Sequence, residues 1–492
     1  MLPLALLALA YSLAGPRRYD GRGRRGLSRQ ALVLCAPRPL TPRQLNGRIA
    51  NASTVDGILQ LHAAHGDALD DINLSTCWSR LGRIAKNADR RRLLQDPALL
   101  APLARQTAAA LDDWGPWGVS ATAHAAAKLR LEGGPYEALW SKLGTAAAAS
   151  ARDFNCQGLA NTAWAFATAG RPEPALFDRL AAASEPRLSD FPSFALGQLL
   201  WAFAAAGAEA ASLFDASAVE LSAGRLKELS PQGVSMVAWA FATAGRPAPA
   251  LFEAIADEAA PRLAEFAPQG LANLAWAFAT VGEPSRSTSG GEAELFGLEF
   301  GRRCDAAADL FRREELTQLH VWCLWHSLEC GQTEGMPSEA LRRRCHAEFT
   351  AQQGRPSRLQ RHVGAALFRL VGSRPREEVT IPEGYSLDYL VEWRGARVAV
   401  EVDGPSHYAA ASATASAAQH RAPSSATLLK RRQLRSFGWR LVSIPYFEWD
   451  QLHAAKGSTA ELQRRYLAAA LDEAVAETVV AGVSYMYECT RA

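Results

Sequence analysis

No Cys-x-x-Cys pair occurs in this chain, and its eight cysteines lie scattered between Cys35 and Cys489. A zinc site built on paired thiolates is therefore excluded, which leaves dispersed core thiols in a reducing compartment. No Gly-x-Gly-x-x-Gly loop leads to a strand lysine and no His-Arg-Asp catalytic loop is present, so kinase chemistry has no support. Long apolar runs are missing too: Leu2 to Ala14 falls short of the roughly 18 residues that a membrane span requires. Charge of one sign is hardly in excess, with 53 basic against 50 acidic side chains. Residues 152 to 283 are even acidic, with 8 basic and 14 acidic side chains, which weakens any reading in which that segment holds nucleic acid by charge alone. What is present is ample apolar material, 48% of 492 residues, enough for two or three domains with real cores.

The first 45 residues read as an address. Leu2 to Ala14 has signal-peptide length, and residues 15 to 45 then carry eight arginines against one acid, Asp20. Arginine excess with few acids suits organellar import. The two runs together resemble the bipartite leaders of algae with complex plastids, with a mitochondrial leader as competitor, so the expected location is a mitochondrial matrix or plastid stroma.

Four tryptophans then recur inside nearly one phrase: Trp164, Trp201, Trp239 and Trp276 stand 37, 38 and 37 residues apart, each followed by Ala-Phe and, six residues on, by Gly170, Gly207, Gly245 or Gly282. That period predicts a stack of helix-turn-helix units. Asn155 and Ser230-Pro231 have the chemistry of helix starts, and the glycines that of helix stops. Weaker copies around Cys77-Trp78, Ala123-His124 and Trp325 to Gly331 bring the count to about seven. Such a stack offers an extended binding face rather than an enclosed active site. A tryptophan in an Ala/Phe/Leu frame reads as core. The residues three before each one, Asn161, Gln198, Met236 and Asn273, vary while the frame stays fixed; amides there suit either base edges or ties between neighbouring helices.

The phrase Pro268-Gln269-Gly270-Leu271-Ala272-Asn273-Leu274-Ala275-Trp276-Ala277-Phe278-Ala279 resembles the octatricopeptide repeats of algal organellar RNA-binding proteins, and the array is also similar to the helical region of FAST kinase-like mitochondrial proteins. The resemblance implies selective binding of single-stranded organellar RNA, within a ribonucleoprotein complex as one setting, and no membrane in the mature form.

Beyond the array, residues 336 to 355 read as a linker. Ser357 to Leu370 then forms an amphipathic helix, Leu387 to Trp393 and Arg397 to Gly404 a hairpin, Ser425 to Phe437 a basic helix, and Trp439 to Ile444 a strand. Asp388, Glu401-Val402-Asp403-Gly404-Pro405-Ser406-His407, Thr427 to Arg432, Gly438-Trp439 and Ile444 to Trp449 resemble the RAP domain, over residues 356 to 455, with 456 to 492 as a final helix and tail. The resemblance implies a small α/β unit of restriction-endonuclease-like fold, following the α-solenoid of helix-turn-helix repeats.

Residues i and i+2 share a strand face, so Glu401 and Asp403 with Asp388 can be placed around one Mg²⁺, with His407 as a proton donor or a phosphate contact; Asp403 occupies the place where such nucleases carry a lysine, and Lys430 either substitutes for that lysine in space or touches phosphate alone. The opposing reading is a nuclease fold kept for binding. Lys430, Arg431, Arg432, Arg435 and Arg440 lie within 11 residues without an acid, which suits phosphate contact. The expected function is organellar RNA binding in processing, stability or translation. A Mg²⁺-dependent endoribonuclease and a protein-binding scaffold remain as alternatives.

Overall fold

In a computed structural model the fold is described for residues 40–282, 295–351, 356–408, 422–454 and 458–477. The leader up to residue 39, the insert around Ser285 to Gly291 and most of the loop from Ala409 to Thr427 lie outside these residues.

The predicted grammar is realised helix by helix. Asn155 and Ser230 each accept a backbone N–H at a first turn, Pro231 occupies a first helical position, and Gly170, Gly207, Gly245 and Gly282 take positive φ. Seven first helices lie side by side in sequence order: Asp71–Ile84, Pro116–Lys128, Cys156–Thr168, Ser193–Ala206, Pro231–Thr243, Pro268–Val281 and Arg313–Leu324. Second helices such as Pro174–Ser184, Ala211–Ser222 and Pro249–Ala259 form the other layer. Helix Pro42–Asn51 extends the stack at its start, its first four residues overlapping the stretch read as leader, with Leu45 and Ile49 buried.

The core between the layers is a phenylalanine ladder. Phe177, Phe214 and Phe252 of second helices meet Phe203, Phe241 and Phe278 of the next first helices edge-on, with ring centroids 5.0–5.1 Å apart. At ~100° per helical residue, a tryptophan two residues before each phenylalanine points about 200° away. Trp164, Trp201, Trp239 and Trp276 are accordingly half-buried on the opposite side of their helices, which corrects the core reading. The linker reading is corrected as well: Glu339–Thr350 is a helix capped by Ser338, with Leu341 and Cys345 buried, and it packs on Arg313–Leu324. In the seventh unit the first helix runs on into a π-turn, Trp325–Glu329, so Trp325 is buried and does not match the other frame tryptophans.

The C-terminal unit is a four-stranded sheet in the order β1 (Arg376–Thr380), β2 (Ser386–Trp393), β3 (Ala396–Asp403), β4 (Arg440–Pro445), antiparallel except for the parallel β3/β4 pair. On one face Val398, Val400, Val402, Val442 and Ile444 bury Leu367 of helix Arg358–Val371, Trp449 of helix Tyr446–Ala454 and Leu467 and Leu471 of helix Thr459–Ala476. The last helix is thus part of this core, beyond the boundary read at residue 455. On the other face Leu387, Ala399 and Leu441 meet Leu434 of helix Ser425–Ser436 and Leu324 of the seventh repeat, so array and sheet share a hydrophobic core. No described helix is both long and apolar enough to cross a membrane.

Candidate nucleic-acid interface

The solvent-facing side of the first helices carries three parallel rows, because positions four and three residues apart stack on one helical face. The tryptophan row is closely paved: Trp201, Trp239 and Trp276 follow one another at 6.2 Å between ring centroids, and His124 takes the same place 5.0 Å from Trp164. At that spacing, and tilted by 30° and 33°, neighbouring indoles are in aromatic contact, so the row is a floor rather than a set of slots. Burial holds the His124 imidazole down to about 4, hence neutral.

The amide row lies one turn nearer the helix starts and is half-buried. Gln198 donates to Asn161 at 3.2 Å, Gln157 to the same oxygen at 2.9 Å, and Gln318 to Asn273 at 3.3 Å. Asn161, Gln198 and Asn273 therefore tie neighbouring helices, with Met236 between them.

A further row stands seven residues before each frame tryptophan, at Gln157, Phe194, Gln232 and Gln269, and was not singled out by the sequence reading. The second residue of each first helix is Ile72, Trp117, Gln157, Phe194, Gln232, Gln269 or Glu314. Ile72, Trp117 and Phe194 are 55%, 61% and 58% exposed; Gln232, Gln269 and Glu314 are exposed and Gln157 half-buried. In the four clear units this position can be read by counting back seven from the tryptophan; Ile72 and Trp117, in the degenerate units, come into register only when helix starts are aligned.

In the C-terminal unit the acids of β3 face helix Ser425–Ser436, and that helix supplies their counter-charges. Lys430 Nζ lies 2.6 Å from Glu401 Oε2 and also donates to the Ser386 carbonyl at 2.9 Å. Arg431 donates to Asp403 Oδ2 at 2.5 Å, His407 Nδ1–H to Asp403 Oδ1 at 2.7 Å, and the Ser443 hydroxyl also donates to Asp403. Burial pushes the Glu401 carboxyl up to about 7 against the pull of Lys430. At Asp403 burial acts upward too, but the bonds from His407 and Ser443 and the Arg431 charge outweigh it and hold the group at about 2. The bond to Asp403 raises the His407 imidazole.

Asp388 stands apart from this pairing. Its oxygens accept Gln360 Nε2–H and the Val402 N–H, both at 2.6 Å. These acids do not fit Mg²⁺, which needs several free oxygen ligands: Glu401 Oε1 alone is without a partner, and cations already hold Glu401 and Asp403. Among the described residues no group of three His, Cys, Asp or Glu side chains is placed to hold a metal. The predicted catalytic residues Asp388, Glu401, Asp403, His407 and Lys430 are thus gathered mainly as a lock between β3 and the basic helix.

The predicted RNA-contacting arginines divide. Arg431 faces β3. Arg432 turns to the array, where it pairs with Glu329 at 2.8 Å and donates to the carbonyls of Thr280, at 3.1 Å, and Ala279. Ser425 donates to the Thr243 carbonyl at 3.1 Å, Gln433 to Val321 at 3.2 Å, and His320 to Glu383 at 2.8 Å. Arg435 is exposed and has no ion-pair partner among the described residues. One basic helix therefore bolts the sheet to the flank of the stack.

The RAP domain profile matches residues 400–468, from β3 through the basic helix into the last helix. A RAP domain-containing protein, chloroplastic, from Oryza sativa subsp. japonica is 34% identical over 96 residues, which cover 20% of this chain and 13% of that protein. The chain thus joins a stack of helical repeats to a C-terminal unit that carries a RAP domain.

Proposed function

We propose that this chain binds single-stranded RNA in an organelle, with the array selecting the transcript and the docked RAP unit adding backbone contacts. The observation that carries the reading is the row of exposed Ile72, Trp117, Phe194, Gln232 and Gln269, with half-buried Gln157 among them, above the tryptophan floor. Exposed apolar rings in register mark a binding surface, and rings and amides, one per repeat, are the groups that stack on and hydrogen-bond unpaired bases. The ion-paired state of Glu401 and Asp403 favours holding or protecting a transcript over cutting it. The chloroplastic name of the rice relative and the arginine-rich leader support the organellar setting.

Phe194→Ala and Trp117→Ala should each weaken RNA binding by about 1–3 kcal/mol while changing stability by no more than about 0.5 kcal/mol. Titration of a single-stranded RNA pool at several salt concentrations, alongside thermal melts, reads both. Absence of any salt-dependent RNA binding by the wild-type chain overturns the reading and leaves a protein partner for the acidic array. A reporter fused to residues 1 to 41 should enter a plastid or mitochondrion; a reporter that stays in the cytosol removes the organellar part.

A further inference from the structure

Where the RAP unit meets the array, a cleft of about 520 Å³ opens between helices Pro231–Thr243 and Pro268–Val281 on one side and Ser425–Ser436 on the other. Its walls carry Arg246, Arg431, Arg432 and Arg435; acids outside the lining pair with the first three, Asp215 with Arg246 at 2.6 Å, Asp403 with Arg431 and Glu329 with Arg432, which leaves Arg435 without a counter-ion among the described residues, and the apolar lining includes Phe241, Val281 and Leu428, the last 50% exposed. A second hollow of about 530 Å³ adjoins it through Gly245, Arg246, Ser425 and Leu428. Both sizes fall within the ~300–1,000 Å³ of small-molecule sites.

The cleft also gathers unspent donors. Arg246 Nε, Arg431 Nε and the Thr280 hydroxyl are buried without a hydrogen-bond partner, as is the Thr243 hydroxyl of the adjoining hollow. Leaving such groups unpaired is costly, and native structures leave few. Several around one cleft call for an acceptor with multiple oxygens. Phosphate supplies one, and guanidinium groups match it in charge and geometry. The apolar wall beside the arginines is suited to a flat base.

We infer that this cleft is a nucleotide site, taking a phosphate on Arg435 and the free Nε–H of Arg246 and a base against Leu428 and Phe241. It is formed only when array and RAP unit are docked, since each contributes arginines. The inference deepens the RNA-binding reading and rests on it for one source of the nucleotide, a unit of the bound strand. The other source is a free mononucleotide.

The test uses the full chain and two probes, a single-stranded RNA pool and the four free nucleoside monophosphates. Arg246→Gln with Arg435→Gln should reduce RNA affinity about tenfold per arginine and lower the salt slope by about 2, one for each lost phosphate contact. Arg394→Gln, a surface change outside the cleft, should do neither, and thermal melts confirm that each variant is folded. Leu428→Glu, which places a carboxylate beside the arginines, should reproduce the loss. If the wild type binds RNA and the cleft variants bind it with the same affinity and slope, the cleft site is overturned and RNA binding by the array stands. If the wild type binds no RNA but binds a monophosphate in an Arg435-dependent way, the cleft site stands and the RNA reading falls. Failure of both probes overturns both.

Discussion

Replacing Asp403 with asparagine should cost the RAP unit about 3–5 kcal/mol, the range for breaking a buried ion pair by removing one partner. The asparagine keeps the shape but leaves the Arg431 guanidinium, whose side chain is 16% exposed, without its counter-charge. It also weakens the bonds from His407 and Ser443. Denaturant unfolding followed through the nearby tryptophans measures the loss. A metal-binding acid would behave in the opposite way, since removing one of several crowded carboxylates relieves repulsion; an Asp403→Asn protein as stable as the wild type would sink the lock. Arg431→Met on the Asp403→Asn background should recover much of the deficit, because the orphaned charge is gone.

The pH dependence follows from the direction of the shift. Asp403 is depressed to about 2 from an ordinary 3.8, so its stabilisation is fully present above pH 3.8 and is lost as pH falls towards 2. The difference between wild type and Asp403→Asn should shrink in that acid window, and shrink again as pH rises above 6.5 through the raised His407 value, because the imidazolium that Asp403 holds is then lost. Glu401, two residues along β3, runs the other way: with its folded value raised to about 7, its ionisation opposes folding as pH rises from 4.5.

Arg432→Ala should release the RAP unit from the array. Glu329, whose side chain is 13% exposed, loses its counter-ion, and the carbonyls of Ala279 and Thr280 lose the Arg432 donor. By the same reasoning the joint weakens by about 3–5 kcal/mol. Thermal unfolding should change from one transition to two, with faster amide exchange around Gly282. Arg432→Lys should not rescue it, because a single ammonium cannot replace the planar fork that serves three acceptors. An unchanged single transition with native exchange would show that the shared core around Leu324 and Leu434 suffices without the arginine.

Repeat architecture was legible because its signals are local: Asn155 and Ser230 cap the turn beside them, and Gly245 stops its own helix. The tryptophan error arose from treating Trp239 and Phe241 as one apolar pair, although two residues of helix place them on opposite sides. Strand β1, Arg-Glu-Glu-Val-Thr, has no signal in the sequence because this edge strand turns a single apolar side chain, Val379, toward the core and so shows no apolar alternation. Glu401 and Asp403 were correctly placed on one strand face. Their partners were not legible, because pairing with Lys430 and Arg431 depends on how the basic helix crosses the sheet. The role of Arg432 depends on groups more than a hundred residues earlier, which no spacing within its own helix can encode.

The joint made by Ser425 and Arg432 grips the fifth and sixth first helices, and this gives the stack a fixed zero mark. Repeats far from the joint touch only their neighbours, so whole units between Gly170 and Gly207, or further upstream, can be gained or lost without moving it. A chain built this way lengthens like a ruler extended at its free end. Any strand laid along it is measured from the same origin.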